Sequence, residues 1–256
     1  MKNLIYPLAT AVIAILLWYV AVLVFGVPSY LLPLPGAVFH EIVSEFPFLM
    51  WHTWITTYET IGGFALSIVL GIGLALAIVS SRAVDKALMP WLILSQTFPK
   101  VALAPLIIVW FGLGIAPKLI VTFLVAFFPV VISTVVGLRS VEGEMLELAH
   151  SMRATPMQLF WHFRLPFALP NLFAGLKVSV AFAVVGAVIA EWVSSNEGLG
   201  YLLIRANANL DTTLLFAVLV MLMIIGVLLY YAVALVEYFS IPWHQSMRLK
   251  DVQPTM

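Results

Sequence analysis

The chain has 256 residues, 63% of them hydrophobic and 9% charged, with a mean hydropathy of +1.11. Soluble domains carry roughly a quarter charged residues, so a water-soluble fold is excluded, and 12 basic against 12 acidic residues leave no surplus to neutralise phosphates, which excludes nucleic acid as a partner. With no cysteine, and with His40, His52, His150, His162 and His244 in no metal-binding pairing, no disulfide, thiolate nucleophile or metal site is expected; an integral all-α membrane protein solvated by membrane lipid remains.

A hydrocarbon core about 30 Å thick takes roughly 20 apolar residues per helix, and six runs meet that requirement. The first, residues 4 to 27, is too long for the roughly 7 to 15 apolar residues of a signal peptide and is expected to be a retained span. From Pro28 to Thr57 the chain carries Pro28, Pro33 and Pro35. An amphipathic segment follows, with Val38, Ile42, Val43 and Phe46 against His40, Glu41 and Glu45, and it suits a helix lying at the interface. The second run, about 58 to 80, has Gly63, Ser67, Gly71 and Ala75 at four-residue spacing, a smooth ridge for close helix approach.

The third run, about 88 to 111, is interrupted by Pro90, Pro99 and Pro105, and adds Gln96, Thr97 and Lys100. A charge at the centre of a span costs about 2.5 to 3.5 kcal/mol on insertion scales. Broken backbone at membrane depth is tolerated only inside protein or beside a cavity. The stretch from Gln96 to Pro105, with Thr97 and Lys100, is therefore expected to form part of a translocation path or gate; a simple kink with Lys100 snorkelling to the interface is the alternative.

After the fourth run, about 118 to 138, the segment 139–169 holds Glu142, Glu144, Glu147, Arg153 and Arg164. The three glutamates sit at a helix start, where acids oppose the helix dipole, and read as a solvated face. Residues 142 to 152 form one expected short helix. Thr155, Pro156 and Gln158 match a capping box, which starts a second. Leu148, Met152, Thr155 and Leu159 share one face of this segment, an apolar stripe outside the bilayer that points to a protein partner.

The fifth run, about 171 to 192, repeats the ridge pattern in Gly175, Ser179, Ala183 and Ala187, and Glu191 continues it at the same spacing. The two ridges suit packing within one chain, a dimer interface or a pathway equally. Residues 193 to 201, with Gly198 and Gly200, read as a flexible polar loop, and Glu191 beside it as an outer gate or a solvated carboxylate at a helix end. The sixth run spans about 213 to 236.

Lys and Arg are retained on the cytoplasmic side. An inside N-terminus puts Lys2, Arg82, Lys86, Arg139, Arg153, Arg164, Arg248 and Lys250 inside, eight charges, against two, Lys118 and Arg205, outside. Both termini are then cytoplasmic. No nucleophile, acid and base are gathered as an enzyme would need, so no catalytic residue is expected.

Glu147-Leu148-Ala149, Arg153 and Phe163-Arg164-Leu165-Pro166 follow the spacing of the Glu-Ala-Ala loop, Glu-Ala-Ala-x3-Gly-x9-Ile-x-Leu-Pro. In this the chain resembles the inner-membrane permease subunits of binding-protein-dependent ABC importers. Further blocks extend the likeness over nearly the whole chain: Ala102-Leu103-Ala104-Pro105-Leu106, Trp110-Phe111-Gly112-Leu113-Gly114, Phe127-Phe128-Pro129 and Gly198-Leu199-Gly200-Tyr201. These are similar to the nitrate, sulfonate and taurine branch, which includes permeases for thiamine-pyrimidine precursors. Leu148 stands where the pattern has Ala, Phe163 replaces Ile, and Arg153 stands where it has Gly. The arginine suggests a more continuous helical turn or a direct salt bridge to the partner.

The resemblance implies a type I importer permease fold in one transmembrane domain, 1–256, in a bacterial inner membrane. It implies a second copy of the chain, two cytoplasmic ABC ATPase subunits that carry the ATP and Mg, and a periplasmic or lipid-anchored solute-binding protein. No GxxxxGK[ST] loop is present, so hydrolysis falls to a separate subunit, and no cofactor is expected in this chain. Glu147, Leu148, Ala149, Met152, Arg153, Leu159, Leu165 and Pro166 would couple to the ATPase; Gln96, Thr97, Lys100 and Glu191 would serve the pathway or gate. The solute would be a small polar organic molecule or an oxyanion, sulfonate-, taurine- or nitrate-like, or a pyrimidine precursor. A self-sufficient secondary transporter is the alternative, disfavoured by the lack of an evident inverted repeat or mid-span carboxylate; a lipid-directed membrane enzyme is a third class.

Overall fold

The computed structural model describes residues 2–242, apart from the side chains of residues 2–4, Pro7 and His150. Arg248 and Lys250, two of the charges placed inside, lie outside the described residues. Helix α1 (Lys2–Val24) is apolar and exposed along most of its length, with Val22 buried and Trp18 packed on Phe216. A short amphipathic helix, α2 (Pro35–Ser44), starts with Pro35 in its first turn, where a missing N–H costs nothing. It buries Val38 and half-buries Ile42 against Leu49, Leu202 and Val218, while Phe39 and Val43 stay exposed. Burial, and then repulsion from Asp211 and Glu45, hold the Glu41 carboxyl on α2 above the usual carboxylate range.

α3 (Phe46–Ser80) runs for 35 residues, beginning twelve residues before the expected second span. α4 (Arg82–Thr97) and α5 (Ala104–Phe111) replace the third span with a pair bent by 90°. The break has a local cause. Pro99 forces Phe98 into extended backbone, and a single tight turn over Lys100–Leu103 reorients the chain before Pro105 restarts a helix. α6 (Ile115–Arg139) follows, then α7 (Gly143–Ser151) and α8 (Pro156–Leu159).

α8 does not stand apart as a second short helix. Through one widened turn at Phe160–Arg164 it continues into α9 (Leu165–Ser194), giving an unbroken helical segment from Pro156 to Ser194. The wide turn accommodates Pro166, whose ring would otherwise press on the carbonyl four residues back. α10 (Leu199–Ala208) and α11 (Thr212–Ser240) are the last helices among the described residues, the latter capped by Asp211. Among the described residues four segments, α3, α6, α8–α9 and α11, are long and apolar enough to span a membrane, and the bent pair makes up to five. The apolar part of α1, Leu8–Val24, is shorter than the expected span.

α6 lies between α3 and α9, and the two small-residue ridges both face it. A Cβ on Gly63 would fall on Thr122, one on Gly71 within 2.9 Å of Val130, and one on Gly175 on Ser133. Ser67 and Ser179 donate across the same seams, to the Phe123 carbonyl at 3.4 Å and the Ala126 carbonyl at 2.6 Å. Of the three roles open for the ridges, packing within one chain is the one they fill.

Candidate functional site

The end of the bundle carrying Arg82, Arg139, Arg153 and Arg164 is the basic end. There Arg139, in the last turn of α6, pairs with Asp85, in the first turn of α4, at 2.8 Å. Each charge also complements its own helix dipole. Beyond this clamp projects the segment α7–α8. Its capping box is present as expected: the Thr155 hydroxyl accepts from the Gln158 N–H, and the Gln158 side chain accepts from the Thr155 N–H at 2.9 Å.

Arg153 has φ of 55°, so α7 stops in the left-handed region where the loop pattern has glycine. The Ala154 N–H closes the turn on the Ala149 carbonyl at 3.0 Å. This corrects the expectation of a more continuous helical turn: the backbone keeps the glycine geometry with a residue that adopts it at a cost of about 1 kcal/mol. Arg153→Gly is accordingly expected to raise the thermal-unfolding midpoint of the purified chain. No rise would mean that the arginine side chain contributes as much as its backbone costs.

The expected stripe divides. Leu148 and Met152 are 53% and 72% exposed, and Glu147 and Arg153 stand beside them in solvent, whereas Leu159 is only 9% exposed and Ala149 is buried. Leu159 therefore fastens the segment to the bundle rather than joining its outer face. Met157 and Trp161, joined by an indole N–H to sulfur contact, are also exposed, while Leu165 and Pro166 are half-buried where α9 begins.

At the opposite end the ridges of α3 and α9 each terminate in a glutamate, and the two meet. Glu59 and Glu191 are both 1% exposed, and Lys118 of α6 reaches between the helices to serve them. Its ammonium donates to Glu59 Oε1 at 2.6 Å and to the Ser195 hydroxyl at 2.7 Å. Glu191 accepts from the Thr56 hydroxyl at 2.7 Å and from the Gly200 N–H at 2.5 Å.

The start of α10 is built on this cluster. A helix N-terminus leaves N–H groups without helical partners. Here Gly198 donates to His52 Nδ1 at 2.9 Å, Leu199 to the Thr56 hydroxyl at 2.8 Å, and Gly200 to Glu191. His52 can accept only with Nδ1 unprotonated, which fixes its tautomer. Gly198 has φ of 105°, and a Cβ there would fall on the Glu191 carboxyl. The loop expected to be flexible is thus pinned at three successive amides, and Glu191 is neither solvated nor open to the outside.

Between the two ends, Gln96 and Lys100 line a cavity of about 270 Å3 with Ser133 and Phe128 of α6 and Phe182 of α9. The Lys100 ammonium stands over the Phe128 ring, 4.4 Å from its centroid. Thr97 is exposed, its hydroxyl bonded to the Leu94 carbonyl, and does not line this cavity. The four residues assigned to a pathway or gate therefore separate into two lining the cavity, one outside it, and Glu191 in its own buried cluster.

Glu59, Lys118, Thr56 and His52 escaped the sequence reading. Starting the second span at residue 58 placed Glu59 at a helix end, whereas α3 begins at Phe46 and buries it; a third buried acid, Glu237, pairs with Lys177 across α11 and α9. Glu59 thus lies inside the long helix α3 and not at its end, which corrects the expectation that no carboxylate sits mid-span. The signal was available, because Glu59 precedes Gly63 by the four residues that separate Glu191 from Ala187.

A family model described as "Binding-protein-dependent transport system inner membrane component" matches residues 67–239. Over 241 residues the chain is 37% identical to a probable ABC transporter permease protein of Haemophilus influenzae, covering 94% of this chain and 95% of the relative. It is also 37% identical to the formylaminopyrimidine transport permease protein ThiX of Halalkalibacterium halodurans, covering 90% and 92%. Among solved structures, an inward-facing MetNI methionine ABC transporter matches with a TM-score of 0.65 at 20% identity, over 74% of this chain and 94% of that one.

Proposed function

Because the chain belongs to the family of binding-protein-dependent transport system inner-membrane components, and is thus a multi-pass permease of an ABC importer, we propose that it works as a homodimer on two cytoplasmic ATPases. ATP and Mg are held by those partners. A periplasmic or lipid-anchored binding protein delivers the solute, a small polar organic molecule or oxyanion of the sulfonate, taurine or pyrimidine-precursor kind; the relative named for formylaminopyrimidine supports the last. Gln96 and Lys100 belong to the path between the copies, Thr97 to its border, and Glu191 to the outer closure.

The observation that carries this reading is the projecting face of α7–α8. Glu147, Leu148, Met152 and Arg153 are turned to solvent at the basic end, while Ala149 and Leu159 anchor the same segment in the bundle. An exposed apolar patch rimmed by charge suits a docking groove on another protein. Movement of an ATPase beneath it is transmitted to α6 and α9, which the segment joins.

Purified with the products of its neighbouring genes and reconstituted in liposomes, the chain is expected to retain an ATPase and to take up solute only with ATP and the binding protein. Uptake driven by an ion gradient, with no ATPase retained, would instead support a secondary transporter and overturn the proposal.

A further inference from the structure

Resting on the reading of Gln96 and Lys100 as pathway residues, we propose that the cavity between α4, α6 and α9 is a transient solute site in which the Lys100 ammonium holds the solute's hydrogen-bond-accepting head group. That group is an anionic oxygen, a carbonyl oxygen or a ring nitrogen. Gln96, Lys100 and Ser133 converge on one space of about 270 Å3, and among the described residues none of the three side chains has a hydrogen-bond or ion-pair partner. The Lys100 ammonium stands over the face of Phe128, which offsets the loss of water from an ammonium in part. Every other described lysine at membrane depth, Lys118 and Lys177, has a carboxylate. Lys100 has none, and no acid lines the cavity.

A charge so placed is tolerated where it meets water or a ligand, not lipid. Its three protons donate and cannot accept, so acceptor groups are favoured and cations repelled. Ser133 is held in the wall because Gly175 lacks a Cβ, which would otherwise occupy the position of the Ser133 side chain. The remaining wall, Val125, Pro129, Ile132 and Phe182, receives an apolar or planar body. The volume falls just below the range of about 300 to 1,000 Å3 for drug-sized ligands, which suits one ring or a short chain.

The chain has no cysteine, so a single introduced thiol can report on this space. In the full chain reconstituted in liposomes, Ser133→Cys is to be treated with methanethiosulfonate reagents carrying ethylsulfonate or ethyltrimethylammonium, each rate normalised to that with a small free thiol. The anionic reagent is expected to react about tenfold faster, as in clefts lined by one sign of charge, and Lys100→Met in the same chain should remove the preference. Taurine or formylaminopyrimidine should slow the modification, and whichever does so identifies the head group as sulfonate or as carbonyl and ring nitrogen. Gln96→Cys lines the same cavity and serves if Ser133→Cys does not assemble. Equal rates, a preference that survives Lys100→Met, no reaction with either reagent, or no protection by either solute would overturn the site. ATP-driven uptake by the unsubstituted chain would in each of those cases leave the importer reading standing.

Discussion

Lys118→Met is expected to destabilise the bundle by about 3 to 5 kcal/mol, the usual consequence of removing one partner from a buried ion pair. The lysine is the cation between Glu59 and Glu191, both of which are shut away from water, and it also holds Ser195 at the mouth of the α10 loop. Its removal leaves two carboxyl groups with no compensating charge. Glu59→Gln added to the same chain should recover much of the loss, because the neutral amide no longer needs a cation. Unfolding of the unsubstituted chain, the two single variants and the double in detergent, followed by helical signal and by the fraction that stays monodisperse after heating, measures the coupling. An unchanged midpoint for Lys118→Met alone would show that the pair holds nothing together.

Glu147→Lys is expected to abolish ATPase coupling while leaving the permease inserted. Glu147 sits on the exposed side of α7, and among the described residues it has no ion pair, so reversing its charge disturbs little within the chain. Surface changes of that kind are usually worth within about 0.5 kcal/mol of stability. Against a partner surface built for an acid, the reversed charge costs several kcal/mol, or about a hundredfold in association. Binding-protein-stimulated ATP hydrolysis and retention of the ATPase during purification are the readouts, with membrane abundance as the control. Wild-type stimulation would remove α7 from the coupling surface.

Elements dictated by local chemistry were legible in the sequence. The capping box at Thr155 and Gln158 forms because its atoms are three residues apart, and the ridges of α3 and α9 pack where four-residue spacing puts them. Arg153 was misread because propensity opposes a left-handed arginine, and the tertiary setting of α7 overrides it. The direction of Leu159 turned on the continuity of α8 with α9, which one widened turn decides. The cluster around Glu191 was half legible: the ridge led to one glutamate, but the partnership of Glu59, Lys118 and His52 exists only once α3, α6 and α9 are side by side. Likewise the 90° bend at Pro99 was visible as a prolyl interruption, though not as an angle.

The length of α3 has a mechanical consequence. At 1.5 Å per residue its 35 residues form a rod of about 52 Å, well over the roughly 30 Å of a bilayer's hydrocarbon. The cluster that fastens α10 grips this rod near one extremity, and the short crossing at Ser81 joins it to α4 at the other. A rocking of about 10° about one extremity, within the repertoire of hinge and shear motions, sweeps the other through about 9 Å. Such a rotation would turn an ångström-scale displacement near one end of the rod into a larger one at the other without any bond inside the rod being broken.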